Sequence, residues 1–257
     1  METRETRDFA REIKFKTHID RWPEIVRWSR ANLSPDGHGA GEHADEYQTC
    51  SLYFETPTFH VYRRAGSYGK SKFRIRRYNA AEIMFLERKF RTERMLVKRR
   101  TIVPVEDLRR MDTGAAADPA WPGYWFQRRI QLRQLRPLIQ LSYDRVARIG
   151  DSPTGPVRMT VDRNLNVLPM PDRAFLTGAG MPILQGDCII EVKYRVQLPA
   201  IFKALAATFD LQAQKISKFR SALRSLDYPL PMDEDEEVPT AVADAEREHG
   251  GSAAYFD

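Results

Sequence analysis

Lys72-Phe73-Arg74-Ile75-Arg76-Arg77-Tyr78 places a cation at every second residue. In a β-strand alternate side chains share a face. Lys72, Arg74 and Arg76 therefore point together, with Phe73, Ile75 and Arg77 on the other side. Three cations on one face repel each other unless something anionic lies between them. The stretch predicts a polyanion as the ligand.

The same two-residue spacing recurs along the chain. It appears in Glu12 and Lys14, Glu87 and Lys89, Lys98 and Arg100, Tyr143 and Arg145, Arg158, Thr160 and Asp162, and Glu191 and Lys193. Any one of these fits an ordinary antiparallel sheet with one solvated face. The set fits that reading poorly. Ile189, Ile190 and Val192 around Glu191, and Met84, Phe85 and Leu86 before Glu87, are too apolar for a sheet facing water. Charges set among such neighbours imply a polar interior whose outer face is packed by helices, as in a barrel with a wide bore. Arginine grips phosphate oxygens in pairs and lysine acts as a point charge. A last basic stretch, Gln214-Lys215-Ile216-Ser217-Lys218-Phe219-Arg220, opens an amphipathic helix with Ser217 as N-cap. Its start is an anion site or, taken alone, a solvated basic face.

Composition narrows the class. The 257 residues carry a formal net charge of +6, but Asp233–Asp257 holds nine acidic residues against one basic, Arg247. The body is strongly basic, which suits nucleic acid, phosphates or an anionic surface. Cys50 and Cys188 belong to no CxxC or Cys/His cluster, so zinc is not expected; a disulfide between them is open but not indicated. Two thiols in a chain this long fit a reducing cytoplasm. No run of about 18 apolar residues predicts a membrane helix, and the charged start, Met1-Glu2-Thr3-Arg4-Glu5, is no secretory signal.

Periodicity predicts strands near Phe9–Lys16, Tyr47–Phe54, His60–Arg64, Lys72–Tyr78, Ile83–Arg91, Arg94–Val103, Ile139–Ile149, Val157–Leu165 and Ile183–Val196. It predicts helices near Asp20–Leu33, Val105–Met111, Trp121–Leu135, Leu198–Phe209 and Ser217–Leu226. Short connections between successive strands imply an antiparallel sheet, so the fold class is α+β. One domain is expected over 5–228, followed by an acidic, disordered tail over 229–257.

In this order the motifs Glu-x-Lys, Ser-Leu-Tyr-Phe-Glu-Thr (51–56), Lys-x-Arg-x-Arg-x-Tyr, Glu-x-Lys, Lys-x-Arg, Tyr-x-Arg, Arg-x-Thr-x-Asp, Glu-x-Lys and Lys-x-Ser-Lys-Phe resemble the VTC domain, the polyphosphate polymerase domain of the vacuolar transporter chaperone family. That family lies among the triphosphate tunnel metalloenzymes, with the CYTH domains. The resemblance spans about Phe9 to Arg220. It implies a closed antiparallel β-barrel tunnel with a C-terminal closing helix. It also implies transfer of the γ-phosphate of ATP onto inorganic polyphosphate with a divalent metal, Mn²⁺ or Mg²⁺. Carried over by motif, Arg74, Arg76, Lys89, Glu191 and Lys218 are the catalytic set. Lys14, Lys72, Lys98, Tyr143, Arg145, Arg158, Lys215 and Ser217 join them on the substrate, and Glu191 holds the metal. The first strand reads Glu-x-Lys-x-Lys rather than the Glu-x-Glu-x-Lys of the hydrolytic CYTH branch, which favours a polymerase. Phe15 and Phe219 stand where tyrosine is common. No helical SPX-like domain is expected before the barrel and no membrane segment after it, so transport would need a membrane-protein partner.

Two other readings stand beside this one: a tunnel hydrolase of triphosphate or nucleoside triphosphates, and a non-catalytic polyanion-binding module. Nucleic acid is disfavoured as the ligand, because the cations alternate with core-like residues rather than with exposed aromatics. The five histidines, His18, His38, His43, His60 and His249, are expected to be bystanders.

Overall fold

The computed structural model describes residues 11–230, apart from His38, 92–95, Thr113, 171–173, Asp227 and Pro229, and apart from the side chains of residues 91, 96 and 97. The expected tail lies outside the described residues. Strands β1 (Arg11–His18), β2 (Ser34–Pro35), β3 (Glu46–Glu55), β4 (Ser71–Tyr78), β5 (Ile83–Arg91), β6 (Leu96–Pro104), β7 (Arg136–Ser152), β8 (Gly155–Pro169), β9 (Met181–Pro182) and β10 (Asp187–Tyr194) form one antiparallel sheet. Its hydrogen-bonded order is β1-β10-β8-β7-β3-β4-β5-β6, with β2 added to β7 and β9 to β8. Helices α1 (Trp22–Asn32), α2 (Tyr124–Leu132), α3 (Ala200–Thr208) and α4 (Lys218–Arg224) pack on it. The sheet curls into the antiparallel tunnel of the α+β class expected from sequence. Its two terminal strands belong to parts that meet through side chains: Lys89 Nζ of β5 lies 3.4 Å from Glu12 Oε2 of β1.

Register makes one face continuous. Directly opposed residues on neighbouring strands point the same way. Lys14 opposes Glu191, Glu191 opposes Thr160, and Asp162 opposes Arg145. Arg145 opposes Tyr47, Ser51 opposes Arg76, Arg74 opposes Glu87, and Glu87 opposes Arg100. These residues form the inner face. The residues between them form the outer face, and much of it is apolar. Phe15, Val157, Met159, Val161, Ile190 and Val192 bury themselves under α1 and α3, through Ile25, Val26, Phe202 and Leu205. Leu52, Phe54, Phe73, Ile75, Met84 and Leu86 form a second core with Phe126 and Ile130 of α2. Burying two such layers on the outside leaves the bore to the polar residues, which is how so much charge is tolerated.

Helix α4 is different, because it packs on inner-face residues. Phe219 stacks on Tyr53 at 5.3 Å between centroids, and it shares a core with Leu141, Ile189 and Leu223. The segment leading to it lies along β1, with Gln214 N donating to Lys14 O at 2.8 Å. The last helix among the described residues therefore closes one part of the bore.

One expected strand is absent. His60–Arg64 forms turns instead. The reason is Glu55, whose buried carboxylate accepts from the backbone N–H groups of Thr56 (2.7 Å), Val61 (2.8 Å) and Tyr62 (2.7 Å). Those donors are lost to any ladder. Val105–Met111 is a 3-10 helix. Cys50 and Cys188 are free thiols, and burial pushes each up to about 12.

Candidate functional site: a cation-lined tunnel

Three carboxylate nodes organise the inner face. Glu87 is the first. It accepts from Arg74 Nε at 2.5 Å and Arg100 Nε at 2.7 Å, and Lys98 Nζ lies 3.3 Å away. Burial would raise its carboxyl, but Arg74, Lys98, Arg76 and Arg100 hold it well below the usual carboxylate range. Asp162 is the second. Arg145 grips it with two parallel bonds of 2.6 and 2.7 Å, and Lys218 Nζ sits 2.7 Å from Oδ2. Against burial, these two cations bring Asp162 down to about 2. The third node pairs Glu12 with Glu191. Lys14 bridges them, at 3.0 Å from Glu12 and 3.5 Å from Glu191, and Lys193 bridges them again at 3.7 and 3.0 Å. Burial and Glu191 would raise Glu12, but Lys14, Lys89 and Lys193 bring it to about 2.

The remaining cations lie outside these three nodes. Arg76 is buried and donates to Ser51 Oγ at 3.0 Å and Tyr143 Oη at 3.1 Å. Arg158 donates to Asp36 at 2.7 Å and Tyr47 Oη at 3.1 Å. Among the described residues Lys72 hydrogen-bonds only Ser217 Oγ, at 3.4 Å, with the Phe219 ring 6.0 Å away. Burial, with Lys14, Lys89 and Arg64 nearby, pushes Lys72 down to about 8; Tyr53 opposes this. Tyr53 itself is brought to about 8, against burial, by Arg74, Arg76 and Lys218.

The expected residues thus converge, with one exception. Lys14, Lys72, Arg74, Arg76, Lys89, Lys98, Tyr143, Arg145, Arg158, Glu191, Ser217 and Lys218 all belong to this connected inner surface. Lys215 is exposed, one residue before the chain turns inward at Ile216, whose carbonyl accepts from Lys14 at 3.1 Å. Ser217 caps α4 by accepting from Arg220 N at 3.4 Å. The cap starts α4 at Lys218, whose Nζ meets Asp162 in the bore. The site also contains residues passed over at first. Tyr47, Thr49, Ser51 and Tyr53 alternate along β3, a spacing visible in the sequence. Glu87, Arg100, Asp162, Lys193 and Glu12 sit within motifs already singled out, but nothing in a single strand says which carboxylate is shared by three cations.

Among the described residues no three His, Cys, Asp or Glu side chains converge on a point. Glu12 and Glu191 nevertheless offer hard oxygen donors held side by side. Mg²⁺ and Mn²⁺ characteristically take one or two carboxylates and complete their shells with water and substrate phosphates. The donor set fits such an ion.

A closed-up antiparallel sheet with a cationic bore and buried carboxylate nodes defines a tunnel protein. The chain belongs to the VTC domain family, whose model matches residues 9–227. Among solved structures it is similar to a candidate adenylate cyclase from Bacillus halodurans, at 16% identity and a TM-score of 0.52, covering 82% of this chain and 94% of that one. It is also similar to a candidate adenylyl cyclase from Hippeastrum described as having a dominant triphosphatase activity, at 13% identity and TM-score 0.46, covering 85% and 98%. The first of these likenesses supports the tunnel fold. No curated protein sequence matches the chain. No helix among the described residues is long and apolar enough to cross a membrane.

Proposed function

We propose that this chain is a polyphosphate polymerase that moves the γ-phosphate of ATP onto the end of an inorganic polyphosphate. The observation that carries this reading is the inner face itself. Arg76, Arg74, Lys72, Lys98, Arg145 and Lys218 form one connected cationic surface, where cations outnumber carboxylates. A surface of that kind suits a string of phosphoryl groups better than a single small anion.

Phosphoryl transfer asks little covalent help of a protein; it needs alignment and charge neutralisation. Arg74 and Arg76 would hold the nucleotide phosphates, with Tyr53 and Tyr143 fixing the two guanidinium planes. Lys89, Lys98, Arg145 and Arg158 would line the path of the polymer. Lys14, Lys72, Ser217 and Lys218 would hold the acceptor end. In the resting protein Arg74, Lys98, Arg145, Lys218, Lys14 and Lys89 sit against Glu87, Asp162, Glu12 and Glu191, Arg158 sits against Asp36, and Arg76 and Lys72 against hydroxyls. Incoming phosphate would exchange for carboxylate, so the site needs little reorganisation of its positive groups. Glu191, with Glu12 beside it, would hold the divalent metal. When bound, that ion supplies Lewis-acid neutralisation of the phosphate oxygens.

The test is incubation with ATP and Mn²⁺, followed by sizing of the products on a gel. A ladder of phosphate polymer supports the reading. Release of orthophosphate alone would make the protein a tunnel triphosphatase instead. An ATP-inert protein that retains polyphosphate would make it a binding module.

A further inference from the structure

The outer wall of the tunnel carries a second concentration of arginine. Arg88 of β5 directly opposes Arg99 of β6 on the outer face. Like charges in that position repel across a sheet. Over them lies α2, with Arg129 in its last turn and Arg133 at its C-cap, four residues on. Among the described residues Arg88, Arg129 and Arg133 contact no carboxylate. Burial, then Arg129, Arg133 and Arg99, lower the pKa of Arg88, which reports uncompensated positive charge.

The guanidinium groups are nonetheless held in place. Arg88 lies over Phe90 at 4.8 Å and over Phe73 at 5.8 Å, and it donates to Ser71 Oγ at 3.3 and 3.2 Å. Arg99 lies over Trp125 at 4.3 Å and Arg133 over Tyr68 at 5.0 Å. A ring behind a guanidinium fixes its plane without neutralising it; Arg133 also donates to Ser67 O and Oγ at 3.4 Å each. The same contacts cover the ring faces on which nucleobases would stack. The position is also informative. Arg88 and Arg99 are one residue along from Lys89 and Lys98, which oppose each other on the inner face. The β5–β6 wall is cationic on both sides.

We propose that Arg88, Arg129 and Arg133, with Arg99, form a second binding surface for inorganic polyphosphate on the outside of the tunnel. A chain of phosphates long enough to pass the tunnel rim would lie along it. The proposal concerns binding alone and does not require that the protein polymerise anything.

The experiment compares long-chain polyphosphate with tripolyphosphate, without ATP or metal, across a range of salt. The variant carries Arg88→Gln, Arg129→Gln and Arg133→Gln. The expected result is long-chain affinity reduced by about tenfold or more at low salt, with the slope of log affinity on log salt shallower by about 2. Tripolyphosphate affinity and thermal midpoint should stay at or above the parent's values, because repulsion has been relieved. The tunnel variant Arg74→Gln should show the opposite pattern, losing tripolyphosphate affinity first. Unchanged long-chain affinity in the triple variant would overturn the proposal. So would equal loss of both ligands, which would place the effect in the tunnel. A single-stranded DNA oligonucleotide bound as tightly and lost as completely would overturn polyphosphate as the ligand. Failure of the polymer-sizing assay leaves these readings unaffected.

Discussion

Arg74 and Glu87 stand directly opposite each other on β4 and β5, and Nε approaches Oε2 to 2.5 Å in a site where the carboxylate is 2% exposed. Lys98 and Arg100 share the same carboxylate. A buried pair of this kind is not a large source of net stability, because desolvation offsets most of the attraction. It holds three cations in one place.

Removing that carboxylate exposes the arrangement. Glu87→Gln leaves three cations without their common partner and should destabilise the free protein by about 3–5 kcal/mol. Tripolyphosphate should restore more of the lost thermal midpoint in the variant than it adds to the parent. Thermal unfolding with and without the ligand checks both. A variant as stable as the parent would mean that water already screens the node.

Asp162→Asn tests a different join. Lys218 Nζ and Arg145 both bind this carboxylate, so it ties α4 to β8 and β7. The expected outcome is faster amide exchange in Lys218–Arg224, with exchange in β3 and β4 unchanged. Uniform acceleration across the sheet would instead make Asp162 a support of the whole fold.

Acid should act through the same nodes. Glu12 and Asp162 are depressed to about 2 from ordinary values of 4.5 and 3.8. A depressed carboxylate stabilises fully above its ordinary value, and the contribution is lost as pH falls through the folded one. Urea unfolding should therefore show stability falling between about pH 4.5 and pH 2. Asp162→Asn should flatten that fall. Alkali acts through Lys72, which loses its proton near 8 in the folded chain against an ordinary 10.5. Between those values the unfolded chain holds the extra proton, so this group adds stability as pH rises. Phosphate bound in that window should draw a proton onto Lys72. Calorimetry at pH 9 in buffers of different ionisation enthalpy should detect the uptake, and Lys72→Met should diminish it.

The metal reading rests on Glu191. Glu191→Gln should weaken Mn²⁺ binding in the presence of tripolyphosphate, while tripolyphosphate binding without metal stays at or above the parent's. Titration followed by the paramagnetic signal of free Mn²⁺ measures this directly. Equal Mn²⁺ affinity in both proteins would move the ion elsewhere.

Most of the sheet was legible because two signals coincided. In β4 and β10 charge alternates with bulky apolar residues, and that pattern fixes both the strand and the face. The expected Lys72–Tyr78 and Ile83–Arg91 match β4 (Ser71–Tyr78) and β5 (Ile83–Arg91) closely. Where the decisive partner lay in a turn, the reading failed. His60–Arg64 alternates like a strand, but Glu55 captures the backbone N–H groups of Val61 and Tyr62. Lys215 is exposed just before the chain turns inward at Ile216, and position in a motif does not reveal it. The outer arginines were invisible for another reason. Arg88 and Arg99 become neighbours only through register, and Arg129 joins them only when α2 packs on the wall.

Strand β1 pairs with β10, and its other edge takes up Gln214 near the far end of the chain. Strand β1 therefore takes both of its neighbours from segments far along the chain. Such distant pairings are slow to form. The bore can close only once these distant segments have met, so a partly folded chain keeps one edge of β1 open until Gln214 and α4 dock.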